Sequence, residues 1–403
     1  MKKLHFSRAQ MLVLLGASLF QCALIGILVN SASILLAAIQ QENNLPMSMI
    51  SIHSTLRNVA AALLGPILVR WFHKLRKPAY LFGCVFFIVA GHLLLTIDTP
   101  LWVWYIIPFF FASSLSVGVV AVPYLLAPWF PKQIGFATGF AMAFSGLGGA
   151  LFNPVAARLI EAYGYRCAIW VLSAVTLVLT AFSLALIFRQ KAPAMQKQEE
   201  TESKKNASSA RLPVKNALCF TLCELSMLGT AVGIALVTYL SMYARSLGYS
   251  LRFAANMMSC VMVGNILGKL IFGFMSDRIG TWLTMVFQSL LVAGGLFILI
   301  AAPNVPILLL AAASLFGTTY VGSTIAVSKC TMAAYGAQEC RRWDGFHTSF
   351  NSAATALLSL GVGFVYDRVG LFQPSFLFVG VCSVVSAGAA LVCCKLSKKT
   401  NQS

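Results

Sequence analysis

The sequence predicts an all-α integral membrane protein, and three observations support this fold class. Of the 403 residues, 59% are hydrophobic and only 10% are charged, whereas a soluble domain has about 25% charged residues. Apolar stretches of about 20 residues, long enough to cross roughly 30 Å of hydrocarbon, recur along the whole chain. Because these stretches are continuous and do not alternate with polar residues, they favour transmembrane helices over a β-barrel.

The apolar stretches predict twelve transmembrane helices. In chain order, these spans cover residues 9–38, 47–69, 78–97, 101–128, 134–160, 166–188, 214–244, 252–275, 281–301, 305–328, 344–366 and 372–394. The first run is far longer than the apolar region of a signal peptide, so we interpret it as an uncleaved helix. A stretch rich in Lys, Glu and Ser divides the spans six and six and is typical of a flexible linker. The predicted domains are a six-helix bundle over 1–188, a cytoplasmic linker over 189–213 and a second six-helix bundle over 214–403.

The net charge of +18 is explained by membrane topology rather than by nucleic acid binding. With these spans, only five of the 29 Lys and Arg residues lie on the side opposite the N-terminus, and two more lie inside spans. The five are Arg158, Arg166, Arg245, Arg252 and Arg368, and the two are Arg57 and Lys269. Positively charged loops are retained in the cytoplasm, so both termini are predicted to be cytoplasmic. We therefore expect a multi-pass plasma membrane protein, placed in the inner membrane if the source is bacterial.

One short motif recurs at the ends of four spans. GFMSDRIG begins at Gly273 and GFVYDRVG at Gly363, with glycine, aspartate, arginine and glycine at the same offsets. A looser copy has Ala157, Glu161 and Gly164, and a fourth has Gly65 and Arg70 but Val69 in place of the acid. The copies end spans two, five, eight and eleven, and alternate copies lie on opposite membrane faces. This pattern is typical of a membrane protein built from inverted repeats.

Several segments carry a resemblance to a known family. They are WFPKQIGFATG at 129–139, PVAARLIEAYGYR at 154–166, YARSLGYS at 243–250 and GKLIFGFMSDRIG at 268–280. Together with the twelve-span layout, they resemble the major facilitator superfamily, and within it the branch of monocarboxylate transporters and oxalate/formate antiporters. The resemblance implies two six-helix bundles that pass a small solute by alternating access. It also implies a gate stabilised by interhelical charge pairing, formed here by Gly273, Asp277, Arg278, Gly280, Asp367 and Arg368.

Two ionisable residues are predicted near the middle of the membrane. Arg57 and Glu224 each lie ten residues into a span, which places them about 15 Å deep. A charge at this depth costs a few kcal/mol, so each needs a partner or a role. We predict that Arg57 binds a substrate carboxylate with Asn58 as a second donor, and that Glu224 couples protons or orients the substrate. The alternative is a buried ion pair or two separate polar anchors between helices.

Other polar side chains inside the spans are candidate hydrogen-bonding partners of a solute. They are Gln21, Asn30, Tyr239, Tyr243, Asn256, Asn265, His347 and Asn351. His53, His92 and His347 can also titrate near neutral pH and relay protons. His347 is the strongest of the three because Ser349 and Asn351 follow it. Each of these residues is equally suited to hold helices together, and Lys269 is close enough to the membrane face to extend towards water or Asp277.

We therefore expect a secondary active transporter of a small organic anion, a mono- or dicarboxylate, driven by protons or by exchange. One alternative is a transporter of a neutral or cationic metabolite or drug, with Glu224 as the binding charge, and another is a transporter-like sensor. The sequence has no nucleophile–base pair, metal-ligand spacing or phosphate loop, so neither an enzyme nor a cofactor is expected. Cys219 and Cys223 share a helix face and are interpreted as packing residues. The expected partners are the solute, protons and the lipid bilayer, with no nucleic acid, and the protein is expected to be a monomer.

Overall fold

The structure is a computed structural model that describes residues 6–97, 100–131, 133–190, 216–322 and 326–400. Regular structure in these residues is helical. The α-helices are α1 (Arg8–Gln21), α2 (Ala32–Glu42), α3 (Met47–Lys74), α4 (Lys77–Leu94), α5 (Leu101–Phe110), α6 (Ala112–Leu126), α7 (Ile134–Phe188), α8 (Asn216–Val237), α9 (Leu240–Ser246), α10 (Leu251–Ile279), α11 (Thr281–Ala301), α12 (Pro306–Gly317), α13 (Val327–Val369) and α14 (Gln373–Thr400). A π-helix, Cys22–Ile27, follows α1, and a 3₁₀ turn, Thr318–Val321, follows α12.

Eight helical stretches in the described part of the chain are long and apolar enough to cross a membrane. The prediction of an all-helical, multi-pass membrane protein is therefore confirmed. The count of twelve spans and the cytoplasmic position of both termini stay predictions.

Three glycines mark sharp junctions between helices that follow each other directly. Gly164 lies inside α7 at φ 81° and ψ 165°, Gly336 inside α13 at φ 78° and ψ 170°, and Gly280 between α10 and α11 at φ 88° and ψ 155°. This backbone conformation is essentially restricted to glycine. Gly164 and Gly280 hold the same position in two copies of the repeated motif, so these copies share a backbone conformation as well as a sequence pattern.

Two of the predicted spans are broken helices. The first predicted span contains α1, the π-helix and α2, and the fourth contains α5 and α6, which separate at Phe111. Pro108 lies three residues before this break. Proline disrupts the turn before it, whereas this break lies after Pro108, where the Phe111 N–H donates to the Pro108 carbonyl at 3.1 Å.

The chain forms two compact units. The first unit contains Met1–Asn44 and Leu56–Lys197, and the second contains Leu45–Thr55 and Gln198–Ser403. The first turns of α3 thus group with the second half of the chain. Most of the predicted linker, residues 191–213, lies outside the described residues. The division into bundles over 1–188 and 214–403 stays a prediction.

Candidate functional site

Glu224 and His347, which the sequence places in separate spans, lie side by side in the second unit. Nδ1 of His347 on α13 is 2.5 Å from Oε1 of Glu224 on α8. The side chain of His347 is fully buried, and that of Glu224 is 7% exposed. A buried carboxylate is costly unless a neighbour compensates it, and here the imidazole provides that compensation. We call these two residues the acid–histidine centre.

An aromatic shell surrounds the acid–histidine centre. The Phe220 ring, one helical turn before Glu224, stacks on the His347 ring with 4.7 Å between centroids and 18° between planes. Tyr335 and Trp343 stack on each other at 4.8 Å, and the Tyr335 ring lies 5.8 Å from that of His347. These rings keep water away from the pair, which strengthens its electrostatic interaction.

Three polar atoms in or beside this centre are buried without a hydrogen-bond partner among the described residues. They are Nε2 of His347, Oδ1 of Asn351 and Nε1 of Trp343. Asn351 lies one turn after His347 on α13 and donates from Nδ2 to the His347 carbonyl at 2.9 Å. Buried polar atoms are rarely left unpaired in proteins, so this edge of the centre is suited to a proton, a water molecule or a polar group of a solute.

Four buried cysteines pack in the apolar core behind the centre. Cys219 and Cys223 come from α8, Cys330 from α13 and Cys393 from α14. They share this core with methionine, valine and alanine side chains. Among the described residues, no group of three or more His, Cys, Asp and Glu side chains is arranged to hold a metal ion.

In the first unit, Arg57 is half-buried on α3, ten residues after the helix begins, and Asn58 beside it is also half-buried. Arg57 is close enough to His92 on α4 to interact with it electrostatically. His92 is buried, with Nδ1 2.9 Å from the Ile88 carbonyl and its ring against Phe111 at 4.5 Å. These contacts fit a packing role for His92. The predicted binding roles of Arg57 and Asn58 stay predictions.

Several of the other candidate residues connect helices through hydrogen bonds. Asn30 donates to the Ser145 carbonyl at 2.8 Å, and the Tyr239 hydroxyl donates to the Ser359 carbonyl at 2.8 Å. The Tyr243 hydroxyl donates to the Leu299 carbonyl. Gln21 is buried at the last residue of α1, where its Oε1 has no hydrogen-bond partner in the described part of the chain. Asn30, Tyr239 and Tyr243 therefore make the interhelical contacts that the sequence left as an alternative role.

The Asp277 copy of the repeated motif forms an ion pair. Lys329 Nζ lies 2.8 Å from Asp277 Oδ1 and also donates to the Ser276 hydroxyl. The sequence points to Lys269 as the nearby cation, but the paired cation is Lys329. Lys329 follows directly after the tenth predicted span, on the same predicted membrane face as Asp277, and this shared position makes it one of several candidate partners in the sequence.

The Asp367 copy contacts a helix terminus. Oδ1 and Oδ2 of Asp367 accept hydrogen bonds from the backbone N–H groups of Met47 and Ser48, each at 2.8 Å. These residues open α3, where unpaired N–H groups and the helix dipole favour a negative charge. The Thr55 hydroxyl donates to the Ala356 carbonyl at 3.0 Å, so the start of α3 runs along the end of α13.

The remaining motif residues lie near these contacts. Arg278 lies over the Phe274 ring at 4.2 Å from its centroid, and Arg368 is exposed. The side chain of Val69, which replaces the acid in the first-half copy, lies outside the described part of the structure.

An all-helical membrane chain with internally repeated helix ends and a buried acid–histidine centre has the architecture of a polytopic transporter. The family model of the Major Facilitator Superfamily matches residues 18–339 and 225–402. The chain therefore belongs to the Major Facilitator Superfamily. This membership confirms the predicted family and the expectation that the protein is a transporter rather than an enzyme.

Individual relatives extend this comparison. The probable transporter MCH2 of Saccharomyces cerevisiae is 27% identical over 275 residues, covering 66% of this chain and 55% of the yeast protein. Monocarboxylate transporter 12 of Rattus norvegicus is 27% identical over 180 residues, covering 38% of this chain and 37% of the rat protein. The matches thus span about half the length of the yeast protein and little more than a third of the rat protein. They support the predicted resemblance to the monocarboxylate transporter branch.

The likeness extends to a bacterial protein and to a solved structure. The uncharacterized MFS-type transporter YhjX of Escherichia coli is 22% identical over 312 residues, covering 74% of each chain. The crystal structure of the nucleoside transporter NupG superimposes with a TM-score of 0.73 at 15% identity, covering 94% of this chain and 99% of the other. At this low identity the NupG comparison shows a shared fold.

Proposed function

We propose that this protein is a secondary active transporter that moves a small organic anion, a mono- or dicarboxylate, across the membrane. The observation that carries the proposal is Arg57, a half-buried arginine ten residues into α3. A planar guanidinium can hold a carboxylate through two parallel hydrogen bonds. The similarity to monocarboxylate transporter 12 supports the same class of solute.

The proposal includes twelve spans in two six-helix bundles, with both termini in the cytoplasm. The length of α7 supports this count. At 1.5 Å per residue, its 55 residues extend about 80 Å, more than twice the thickness of the hydrocarbon core. The non-helical Gly164 divides α7 into two helical segments, which correspond to the fifth and sixth predicted spans.

Transport into proteoliposomes tests the proposed solute. A panel of mono- and dicarboxylates is offered with and without a pH gradient, and Arg57→Ala is compared with the wild type. Losing a charge-assisted hydrogen bond costs about 1.5–3 kcal/mol, so we expect uptake at low solute concentration to fall at least about tenfold. Arg252→Ala removes an exposed arginine at the start of α10 and serves as the control. Normal carboxylate uptake by Arg57→Ala contradicts the proposed binding role.

A second candidate solute is an organic cation. The observation that favours it is the carboxylate of Glu224 beside the rings of Phe220, Tyr335 and Trp343, because a carboxylate and aromatic faces both attract cations. Cation transport that depends on Glu224, without carboxylate uptake, supports this candidate. Saturable binding of either solute without flux indicates a transporter-like sensor.

A further inference from the structure

We propose that Glu224 and His347 bind the coupling proton of the transport cycle, and that the proton is taken up at Nε2 of His347. This inference rests on the proposed function, because it names the coupling ion for the same transporter. The sequence offers Glu224 and three histidines as separate candidates for carrying protons. The inference assigns this role to Glu224 and one of those histidines acting together.

The hydrogen bond between the two side chains determines which atom takes the proton. Oε1 of Glu224 is 2.5 Å from Nδ1 of His347, and an ionised carboxylate can only accept a hydrogen bond. Nδ1 therefore carries the hydrogen in the neutral ring, and Nε2 holds the free lone pair. Nε2 is buried and has no hydrogen-bond partner among the described residues, so its lone pair is open to a proton.

Among the side chains that the structure describes, the titratable groups beside Glu224 and His347 are phenols and thiols. Those that interact with them or share the core behind them, contributed by α8, α13 and α14, are Tyr335, Cys219, Cys223, Cys330 and Cys393. Phenols and thiols are ordinarily neutral near pH 7. The sequence of α11, which also packs against α8, contains no titratable side chain.

Proton binding changes the net charge of the centre. With a neutral imidazole and an ionised carboxylate, the acid–histidine centre carries one negative charge. Protonation of Nε2 gives an imidazolium paired with the carboxylate, so the net charge becomes zero. Since an uncompensated charge in a membrane interior is costly, the protonated centre can be closed off from water at a lower cost than the deprotonated one.

This difference couples the proton to an anionic solute. The deprotonated centre repels a carboxylate, whereas the protonated centre does not. Proton binding should therefore favour binding of the solute, and the two should move in the same direction.

Glu224→Gln tests whether the pH gradient drives accumulation through the acid–histidine centre. A gradient of one pH unit corresponds to about 1.4 kcal/mol, so one-proton symport concentrates the solute up to about tenfold in wild-type vesicles. We expect Glu224→Gln to show no accumulation above the level without a gradient. Glu42→Gln, an exposed carboxylate at the end of α2, and His92→Gln, another buried histidine, are controls that should retain accumulation.

A solute-free titration tests proton binding directly. Trp343 belongs to the aromatic shell, so a change of charge on His347 should alter its fluorescence in the purified protein. We expect a pH-dependent transition that disappears in His347→Gln, changes its midpoint in Glu224→Gln and is lost in Trp343→Phe, which removes the reporter. Because the titration does not depend on transport, it still tests proton binding if Glu224→Gln transports nothing at all.

The outcomes distinguish the two proposals. Wild-type protein that shows the transition but moves no carboxylate contradicts the proposed solute and supports the proton centre. Glu224→Gln vesicles that accumulate solute as the wild type does, or a transition that is unchanged in both His347→Gln and Glu224→Gln, overturn the proton centre.

Discussion

Asp277 and Asp367 occupy the same position in two copies of one motif, yet their carboxylates have different partners. Asp277 is 78% exposed and pairs with the Lys329 ammonium, whereas Asp367 accepts two backbone hydrogen bonds at the start of α3. The motif thus places an acid at the end of a helix, and the element packed nearby determines whether it meets a cation or a helix terminus. Of these two copies, the Asp277 copy matches the charge pairing that the family resemblance implies.

The glycines of the two copies differ as well. An added Cβ at Gly273 meets nothing within 4 Å, whereas one at Gly363 lies 2.8 Å from the Met47 carbonyl oxygen and also meets the Ser51 side chain. Gly280 has φ 88° and ψ 155°, and Gly370 has φ 72° and ψ 8°. Close helix packing therefore requires glycine at Gly363, and an unusual backbone requires it at Gly280.

The largest predicted difference is between Gly363→Ala and Gly273→Ala. The first substitution forces α13 away from the start of α3 and should lower the free energy of unfolding by about 1–3 kcal/mol. The second adds a methyl group in open space within a helix and should be neutral or raise stability by up to about 1 kcal/mol. Thermal unfolding in detergent, followed by labelling of the buried cysteines as they become exposed, measures both. Equal unfolding temperatures for the two variants contradict the close contact at Gly363.

Substituting asparagine for each motif-ending glycine tests the backbone difference. Asparagine tolerates the left-handed conformation of Gly370, so Gly370→Asn should cost less than about 1 kcal/mol. The conformation of Gly280 is essentially restricted to glycine, so Gly280→Asn should cost about 1–3 kcal/mol. The same unfolding assay compares them, and a larger loss in Gly370→Asn than in Gly280→Asn contradicts the assigned conformations.

Local features of this chain are predictable from sequence, whereas its long-range pairs are not. Composition and apolar length reveal the membrane helices, and the repeated motif reveals the helix end at Gly164. Glu224 and His347 each stand out as polar residues within apolar spans, but they are 123 positions apart. Nothing local to either residue specifies the other, because their contact depends on how α8 packs against α13.

The partners of Asp277 and Asp367 also depend on long-range packing, so the local sequence does not specify them. Lys329 is one of several cations predicted on its membrane face, so its charge alone does not select it as the partner of Asp277. The start of α3 has no distinguishing residue type, because the groups that bind Asp367 are backbone N–H donors. Backbone donors are present at every helix start, and only the tertiary structure shows which one receives a carboxylate.

The smallest predicted effects come from neutralising the two carboxylates. Asp367→Asn removes the negative charge from the start of α3 and leaves one acceptor oxygen, so it should lower stability by about 0.5–2 kcal/mol. Asp277→Asn breaks an exposed ion pair and should cost at most about 1 kcal/mol. Measurements in high salt distinguish the two variants. High ionic strength screens the exposed Asp277–Lys329 ion pair, while the backbone hydrogen bonds of Asp367 persist. The stability loss in Asp277→Asn should therefore shrink in high salt and that in Asp367→Asn should remain.

Transport kinetics give Asp277→Asn a second readout, which Lys329→Met should share. If the Asp277–Lys329 pair stabilises one state of a gate, breaking it changes how fast the protein converts between states and leaves the solute contacts unchanged. We therefore expect an altered maximal rate at an unchanged half-saturating solute concentration in both variants. A loss of affinity at normal maximal rate would instead place this pair in contact with the solute. Because either substitution removes the same ion pair, the double variant should add little to the effect of each single one.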